Sequence, residues 1–194
     1  MLDTRGPLAS AVEVQVVGQL VAFLRGLNVG GHRVKMDVLC RSFEGMGFTD
    51  VSAFLASGNV IFTADGNDAE EMERQIEADL TAGLGYGVPA FVRTAAQVRE
   101  IAGRAPFAAD LLETSDGKLQ VALLRSAPDA RARQRVLRLA TAADRLAIAG
   151  RELYWLPSGP MSQSELDLAV IGQTLPPMTI RTARTIERIA AKLP

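Results

Sequence analysis

The alternation of strand and helix signals along residues 20–93 limits the fold of this chain more than any other feature. Short runs of consecutive apolar residues are separated by two segments whose apolar residues recur at the three- and four-residue spacing of one helical face. The strand signals lie at 21–25, 51–56, 60–63 and 88–93, and the helical faces at 36–46 and 69–80. Their order, β-α-β-β-α-β, is that of the split βαβ, or ferredoxin-like, arrangement, so the first half predicts an α+β subdomain.

The second half of the chain carries a weaker form of the same order. Its signals are a strand, a helix, a hairpin around Gly150 and two further helices, at 119–124, 129–140, 145–149 with 152–156, 166–171 and 180–193. They predict a second, ferredoxin-like-related α+β subdomain with the order β-α-β-β-α and an extra helix. We therefore divide the chain into an N-terminal extension (1–19), a first subdomain with a bridging helix (20–103) and a second subdomain (104–194).

Composition excludes several classes of protein. The 194 residues carry 21 basic and 22 acidic side chains, a net charge of −1, which argues against a globally basic nucleic-acid-binding protein. A single cysteine, Cys40, and a single histidine, His32, leave no disulfide framework or Cys-rich metal site, and no cofactor is expected. The uncharged apolar stretch at 14–24 is too short for a membrane span, and no secretory signal is evident. We expect a cytoplasmic protein with no membrane partner.

The loop at 26–35 is the clearest candidate for a binding site. It holds Gly26, Gly30 and Gly31, and glycine amides can converge on an anion because no Cβ stands in the way. Arg25, Arg33 and Lys35 add positive charge, and the loop leads into a helix N-terminus, which favours phosphate or carboxylate. The residues after Gly31 are not the Lys-Ser/Thr pair of a P-loop. The alternative is an ordinary strand-to-helix loop with solvated charges.

Strand order places a second motif beside this loop. In the split βαβ arrangement the third strand lies antiparallel between the first and the second, so the first strand ends beside the turn that joins the other two. Ser57 and Asn59 of that turn should therefore share an edge of the sheet with Arg25, Asn28 and Gly30. The alternative is that the Ser-Gly-Asn sequence serves only the geometry of the turn.

Two arginines near the C-terminus occupy an unfavourable position in the predicted helix. Thr179 is a candidate N-cap for a helix that continues to Leu193, which places Arg181 and Arg184 at the positive end of the helix dipole. We expect the two arginines to meet an anion, either a carboxylate from another part of the fold or a bound ligand.

Four short motifs resemble those of one known family. They are Leu24-Arg25-Gly26-Leu27-Asn28-Val29-Gly30-Gly31, Ser57-Gly58-Asn59-Val60-Ile61-Phe62, Pro106-Phe107 and Thr179-x-Arg181-x-x-x-Thr185. Together they make residues 20–193 similar to domain-of-unknown-function family 1697. The resemblance implies two α+β subdomains and a bacterial cytoplasmic protein, and it implies no biochemical function. Glu165, Thr182 and Ala183 depart from the family pattern, which tends to place Lys, Asn and Trp there.

The favoured function is a binding module for a phosphate-bearing or other anionic ligand at the edge formed by 26–35 and 57–59. The candidate ligand-binding residues are Arg25, Gly26, Asn28, Gly30, Gly31, Arg33, Lys35, Ser57, Asn59, Arg181 and Thr185. An alternative is a phosphoryl- or acyl-transfer enzyme at the same edge, although His32 has no evident acid–base partner and no catalytic constellation is recognisable. The other alternative is a protein-interaction domain without a small ligand. A small anion is the expected partner, and nucleic acid is not, because the aromatic signature of RNA-binding sheets is missing.

Overall fold

Two antiparallel four-stranded sheets form the framework of the protein in a computed structural model, which describes residues 17–55, 58–66 and 68–194. The elements of the first subdomain are β1 (Val17–Leu24), α1 (Met36–Gly45), β2 (Thr49–Phe54), β3 (Asn59–Asp65), α2 (Ala69–Leu84), β4 (Ala90–Thr94) and α3 (Ala95–Gly103). Its strands lie in the order β2-β3-β1-β4. The predicted β-α-β-β-α-β order of the first half is confirmed.

The second subdomain repeats this arrangement. Its elements are α4 (Ala109–Thr114), β5 (Gln120–Leu124), α5 (Ala130–Leu137), β6 (Asp144–Ala149), β7 (Glu152–Pro157), a 3-10 turn (Met161–Gln163), α6 (Leu168–Thr174), β8 (Met178–Thr182) and α7 (Ala183–Ala190). Its strand order, β6-β7-β5-β8, is equivalent to that of the first sheet. The predicted fold class, two related α+β subdomains, is therefore confirmed.

The prediction of one helix over 180–193 is wrong at its start. Residues 178–182 are strand β8, which pairs antiparallel with β5 and satisfies backbone groups that β5 would otherwise expose at the sheet edge. The helix cap is Thr182, whose hydroxyl accepts a hydrogen bond from the Thr185 amide, and not Thr179. The second subdomain thus has the complete β-α-β-β-α-β order. The structure also adds α4 and begins β1 at Val17, inside the predicted extension.

Helices α3 and α7 pack against each other in the core shared by the two sheets. Alternate residues of β1 divide between two cores: Leu20 and Leu24 face α1 and α2, whereas Val21 and Phe23 face the second subdomain and the helices α3 and α7. Both faces of β1 are buried, which explains its continuous apolar run. A third cluster, which includes Val136 and Ile171, lies under α5 and α6. The two subdomains consequently form one continuous packed unit.

Gly58, in the β2–β3 turn, packs against β1. Its φ is +72°, and a Cβ there would lie 3.2 Å from the Cβ of Leu24. We expect Gly58→Ala to lower the free energy of unfolding by about 1–2 kcal/mol, because the substitution strains the backbone and crowds Leu24. Urea unfolding should measure this loss, with Gly83→Ala as the control. Gly83 lies within α2, and a Cβ added there would meet no other atom within 4 Å, so alanine should leave stability unchanged or raise it by up to about 1 kcal/mol. Equal effects of the two variants would contradict the role given to Gly58.

Candidate functional site

The end of β1 and the turn before β3 lie side by side, as the strand order predicts. Phe23 pairs with Asn59 across the two strands, and the Leu24 amide donates to the Gly58 carbonyl at 2.7 Å. Ser57, the other turn residue predicted to bind ligand, lies outside the described residues. The predicted juxtaposition of the two motifs is therefore confirmed for Asn59.

Arg93 and Arg181 are equivalent residues of the two subdomains. Each is the fourth residue of the last strand of its sheet, and each precedes a threonine that caps the next helix. The sequence Arg-Thr-Ala occurs at both places, at 93–95 and at 181–183. The sequence analysis missed this repeat, which marks residues that connect the two subdomains.

Arg181 reaches from the second subdomain into the first. Its Nε donates to Asn59 Oδ1 at 2.7 Å, and its Nη2 donates to the carbonyl oxygens of Leu24 at 2.7 Å and Gly58 at 3.4 Å. Its Nη1 donates to Thr179 Oγ1 and to the carbonyl of the preceding residue, each at 2.9 Å. Burial lowers the pKa of Arg181 to about 10, so the guanidinium stays charged at neutral pH. These described acceptors are neutral oxygens, where the sequence analysis expected an anion.

Arg93 makes the equivalent contacts in the opposite direction. Its Nε donates to Glu152 Oε1 at 2.9 Å, and its Nη2 donates to the carbonyl oxygens of Leu124 at 2.8 Å and Arg151 at 3.4 Å. Its side chain is 1% exposed. Burial and the nearby Arg151 lower the pKa of Arg93, and the Glu152 carboxylate opposes this shift. Each subdomain thus inserts one arginine into the other.

The acceptors of the two arginines correspond residue by residue. Leu24 ends β1 as Leu124 ends β5, and Asn59 begins β3 as Glu152 begins β7. The structure differs at the last of these positions, because an amide oxygen faces Arg181 where a carboxylate faces Arg93. The Nε of Arg181 therefore has a neutral partner, whereas the Nε of Arg93 has an acidic one.

A second pair of equivalent arginines follows β1 and β5. Arg25 Nη1 donates to the Met178 carbonyl at 3.1 Å, and Arg125 Nη2 donates to the Ala90 carbonyl at 3.3 Å. Both carbonyls belong to the first residue of the last strand in the opposite subdomain. Each subdomain thus contributes to the contact one arginine that directly follows β1 or β5 and one from its last strand.

Among the described residues, carboxylates compensate the charge of Arg125 but not that of Arg25. Arg125 pairs with Glu77, and its Nη1 lies 3.7 Å from Glu73 Oε2. Arg25 is exposed, and the described part of the chain places no carboxylate within ion-pair distance of it. The end of β1 is therefore more electropositive than the equivalent end of β5.

A cavity of about 360 Å³ opens at the end of β1. The lining residues are Leu24, Arg25, Gly26, Leu27, Asn28, Val29, Thr179 and Arg181. It brings together four of the residues predicted to bind ligand, namely Arg25, Gly26, Asn28 and Arg181. We call it the β1 cavity.

Three more of the predicted loop residues line a neighbouring cavity. It measures about 570 Å³ and includes Gly31, Arg33 and Lys35 from the predicted set, while Asn28 lines both cavities. Gly30 lines neither. The single binding edge expected from the sequence is thus two adjacent cavities in the structure.

Hydrogen bonds give the two asparagines positioning roles. Asn28 Oδ1 accepts from the Val34 amide at 2.8 Å and so closes the loop. Asn59 is fully buried, its Nδ2 donates to the Phe54 carbonyl at 3.0 Å, and its Oδ1 holds Arg181. Direct contact between Asn59 and a ligand would require these bonds to open, so Asn59 orients Arg181 rather than facing the cavity.

Two other predicted residues lie apart from the β1 cavity. The Thr185 hydroxyl bonds with that of Thr182 at the start of α7, and Thr185 does not line the cavity. Arg184 is exposed, and the described residues give it no acidic partner, so the anion expected there is not found. Because α7 begins at Ala183, Thr185 lies in the first turn of the helix, where its amide donates to the capping residue Thr182.

His32 anchors the loop instead of joining a catalytic group. Its ring stacks on Tyr86 with the centroids 4.0 Å apart, and the Tyr86 hydroxyl donates to the Leu27 carbonyl at 2.7 Å.

The described residues contain no group of three or more His, Cys, Asp or Glu side chains that could hold a metal ion. Within the same part of the chain, every helix is too short or too polar to cross a bilayer.

Comparison with known proteins identifies the family. The model of the family described as "Protein of unknown function (DUF1697)" matches residues 17–154, well over half of the chain. The chain belongs to this family. The match includes Arg25 and Arg93 and ends before β8, so Arg181 lies outside the matched part of this family member.

The fold is shared with a solved structure. It is described as the conserved bacterial protein SP0830 from Streptococcus pneumoniae, with a TM-score of 0.74 and 19% sequence identity over 92% of this chain and 99% of that chain. At this identity the likeness establishes the arrangement of both subdomains and no shared activity. No curated protein matches the chain.

Proposed function

We propose that the protein binds a small anionic ligand, in particular a phosphate-bearing one, in the β1 cavity. The observation that carries the proposal is the contrast between Arg25 and Arg125. Both arginines follow the central strand of their sheet and both bond to a carbonyl of the opposite subdomain, but only Arg125 has carboxylates beside it among the described residues. The two subdomains share one framework, yet the described carboxylates compensate Arg125 and not Arg25. This difference favours binding of an external anion at Arg25.

The surroundings of Arg25 support phosphate as the ligand. Arg181 adds a second positive charge at the wall of the same cavity. Its five N–H groups already donate to Asn59, Thr179 and backbone carbonyls, so it attracts an anion through its charge and not through hydrogen bonds. The Arg25 guanidinium, which bonds to the Met178 carbonyl through Nη1, keeps donors for the paired, charge-assisted hydrogen bonds that arginine forms with phosphate oxygens. Gly26 has φ +75°, which directs the chain around the cavity without a Cβ beside the ligand. The cavity volume, about 360 Å³, suits a small ligand.

The cytoplasm of a bacterium is the proposed setting. The supporting observations are the single cysteine, which is partly buried and unpaired, and the resemblance of the motifs to a family of bacterial proteins. The two alternatives, a transferase at the same edge and a protein-interaction domain, stay predictions.

Ligand-induced stabilisation tests the proposal. We expect inorganic pyrophosphate to raise the Tm of the protein, since an anion that binds only the folded state stabilises it by about 2.7 kcal/mol at 100 times its Kd. Arg25→Gln should abolish this shift, and added salt should weaken it in the unaltered protein. Thermal denaturation with and without pyrophosphate measures both effects.

Arg131→Gln is the matched control. Arg131 is exposed on α5, has no ion pair among the described residues and lies outside the β1 cavity, so the substitution removes the same charge elsewhere. The control should retain the pyrophosphate shift. A shift of equal size in the Arg25 and Arg131 variants would mean that pyrophosphate acts on net charge and not on the β1 cavity.

A further inference from the structure

A cavity of about 480 Å³ lies in the second subdomain, away from the arginines of the β1 cavity. It is formed by the chain before β6, the chain after β7 and the 3-10 turn. Its polar wall includes Thr141, Asp144, Ser158, Gln163, Ser164 and Glu165. The volume is within the range of about 300–1,000 Å³ typical of small-molecule sites. We call it the β6 cavity.

Asp144 is the buried charged group in this wall. It is 3% exposed, and its Oδ1 accepts from Trp155 Nε1 at 2.7 Å and from Ser164 Oγ at 2.8 Å. Asp144 and Ser164 both line the cavity, so the carboxylate lies at the cavity surface. The described residues donate no hydrogen bond to Asp144 Oδ2. A carboxylate can accept about four hydrogen bonds, so half of its capacity is left for a group in the cavity.

The charge of the lining is one-sided. Glu165 adds a second, exposed carboxylate at the cavity, and no Lys or Arg is among the described residues that line it. In a chain with nearly equal numbers of basic and acidic side chains, a cavity whose described lining carries acidic but no basic side chains favours a cationic ligand.

The Asp144 carboxylate is also rigidly held. Thr141 Oγ1 accepts from the Asp144 amide at 2.9 Å, and the Thr141 amide donates to the Asp144 carbonyl at 2.9 Å. Ser164, which holds Oδ1, in turn accepts from the Leu166 amide at 3.0 Å. A carboxylate fixed on its backbone and on one oxygen is preorganised for a donor on the other oxygen, and such a donor loses little affinity to reorganisation of the site.

We propose that the β6 cavity binds a small organic ammonium compound that also carries hydroxyl groups. The ammonium group would donate to Asp144 Oδ2 with Glu165 nearby, and Ser158 and Gln163 would meet the hydroxyls. An ammonium ion offers several donors to a carboxylate in a charge-assisted bond, which a neutral donor cannot match. This site is independent of the anion proposed for the β1 cavity.

The single tryptophan gives a direct readout of occupancy. Because Trp155 Nε1 donates to the Asp144 carboxylate, a cation on Oδ2 should change the chemical shift of the only indole N–H in the protein. We would titrate the full chain with glucosamine, an amino sugar, at slightly acid pH and record ¹H–¹⁵N spectra. Glucosamine should shift the indole resonance in a saturable way, and glucose, which lacks the amine, should not.

Substitutions locate the effect. Asp144→Asn keeps an oxygen that can accept from Trp155 and Ser164, so it preserves the wall while removing the charge, and it should weaken glucosamine binding about tenfold or more. Glu165→Gln should weaken it by a smaller factor. Glu187→Gln, an exposed acid on α7 outside the cavity, should have no effect. An unchanged indole resonance with glucosamine, or equal affinity of the Asp144 and Glu187 variants, would overturn the proposal and indicate a cavity that holds water only.

Discussion

Arg93→Met is expected to lower the free energy of unfolding by about 3–5 kcal/mol, because it leaves the Glu152 carboxylate buried without its partner. The Glu152 side chain is 14% exposed and that of Arg93 is 1% exposed, so neither charged group is fully solvated in the folded protein. The substitution also removes the donors to the Leu124 and Arg151 carbonyls. Urea unfolding followed by circular dichroism measures the loss.

A double-mutant cycle distinguishes loss of the ion pair with Glu152 from loss of the other contacts of Arg93. If the pair accounts for the effect, Arg93→Met combined with Glu152→Met should cost less than the sum of the two single substitutions. Should Arg93→Met be too unstable to purify, Glu152→Gln examines the same contact with a smaller expected loss, about 1–3 kcal/mol. Strictly additive losses would show that Arg93 contributes through packing and its bonds to the Leu124 and Arg151 carbonyls, and not through Glu152.

Gly117→Ala is expected to lower the free energy of unfolding by about 3 kcal/mol or more, at the upper end of the effects of overpacking. A Cβ at Gly117 would lie 2.6 Å from the Pro157 carbonyl carbon and 2.9 Å from the Gly159 oxygen, both backbone atoms that cannot rotate aside. Ser115 Oγ, which donates to the Pro157 carbonyl at 2.7 Å and accepts from the Gly117 amide, holds this close approach. Thermal and urea unfolding should show the loss.

Gly172→Ala provides the comparison for Gly117. Gly172 lies within α6, and a Cβ added there would meet no other atom within 4 Å, so alanine should be neutral or stabilising. A variant of Gly117 as stable as that of Gly172 would mean that the segments at 117 and 157 separate at little cost.

The first subdomain could be predicted from the sequence because its signals are local and repeated. The central strand β1 is buried on both faces and reads as a continuous apolar run, while α1 and α2 each show one apolar face. The strand order then placed the end of β1 beside Asn59, as the pairing of Phe23 with Asn59 confirms. A topology rule was sufficient to bring Arg25 and Asn59 to one edge.

β8 could not be predicted in the same way. Its five residues run directly into α7, and Thr182 belongs to the strand and also caps the helix, so no turn separates the two elements. The apolar spacing of the helix extends back through Ile180 and hides the strand. What makes 178–182 a strand is the free edge of β5, which lies more than 50 residues away in the sequence.

The amino-acid sequence by itself determined the two α+β subdomains and the positive loop after β1. The anion that it predicted for Arg181 is not among the described acceptors, which are neutral oxygens. Only the tertiary structure decided which groups accept from Arg181 and Arg93, because Asn59, Leu24 and Glu152 reach them across the contact between subdomains. The same holds for the compensation of Arg125 by Glu77 and for the open carboxylate of Asp144. Local spacing sets strands and helices, whereas the balance of buried charge depends on residues distant in sequence that folding brings within a few ångströms of one another.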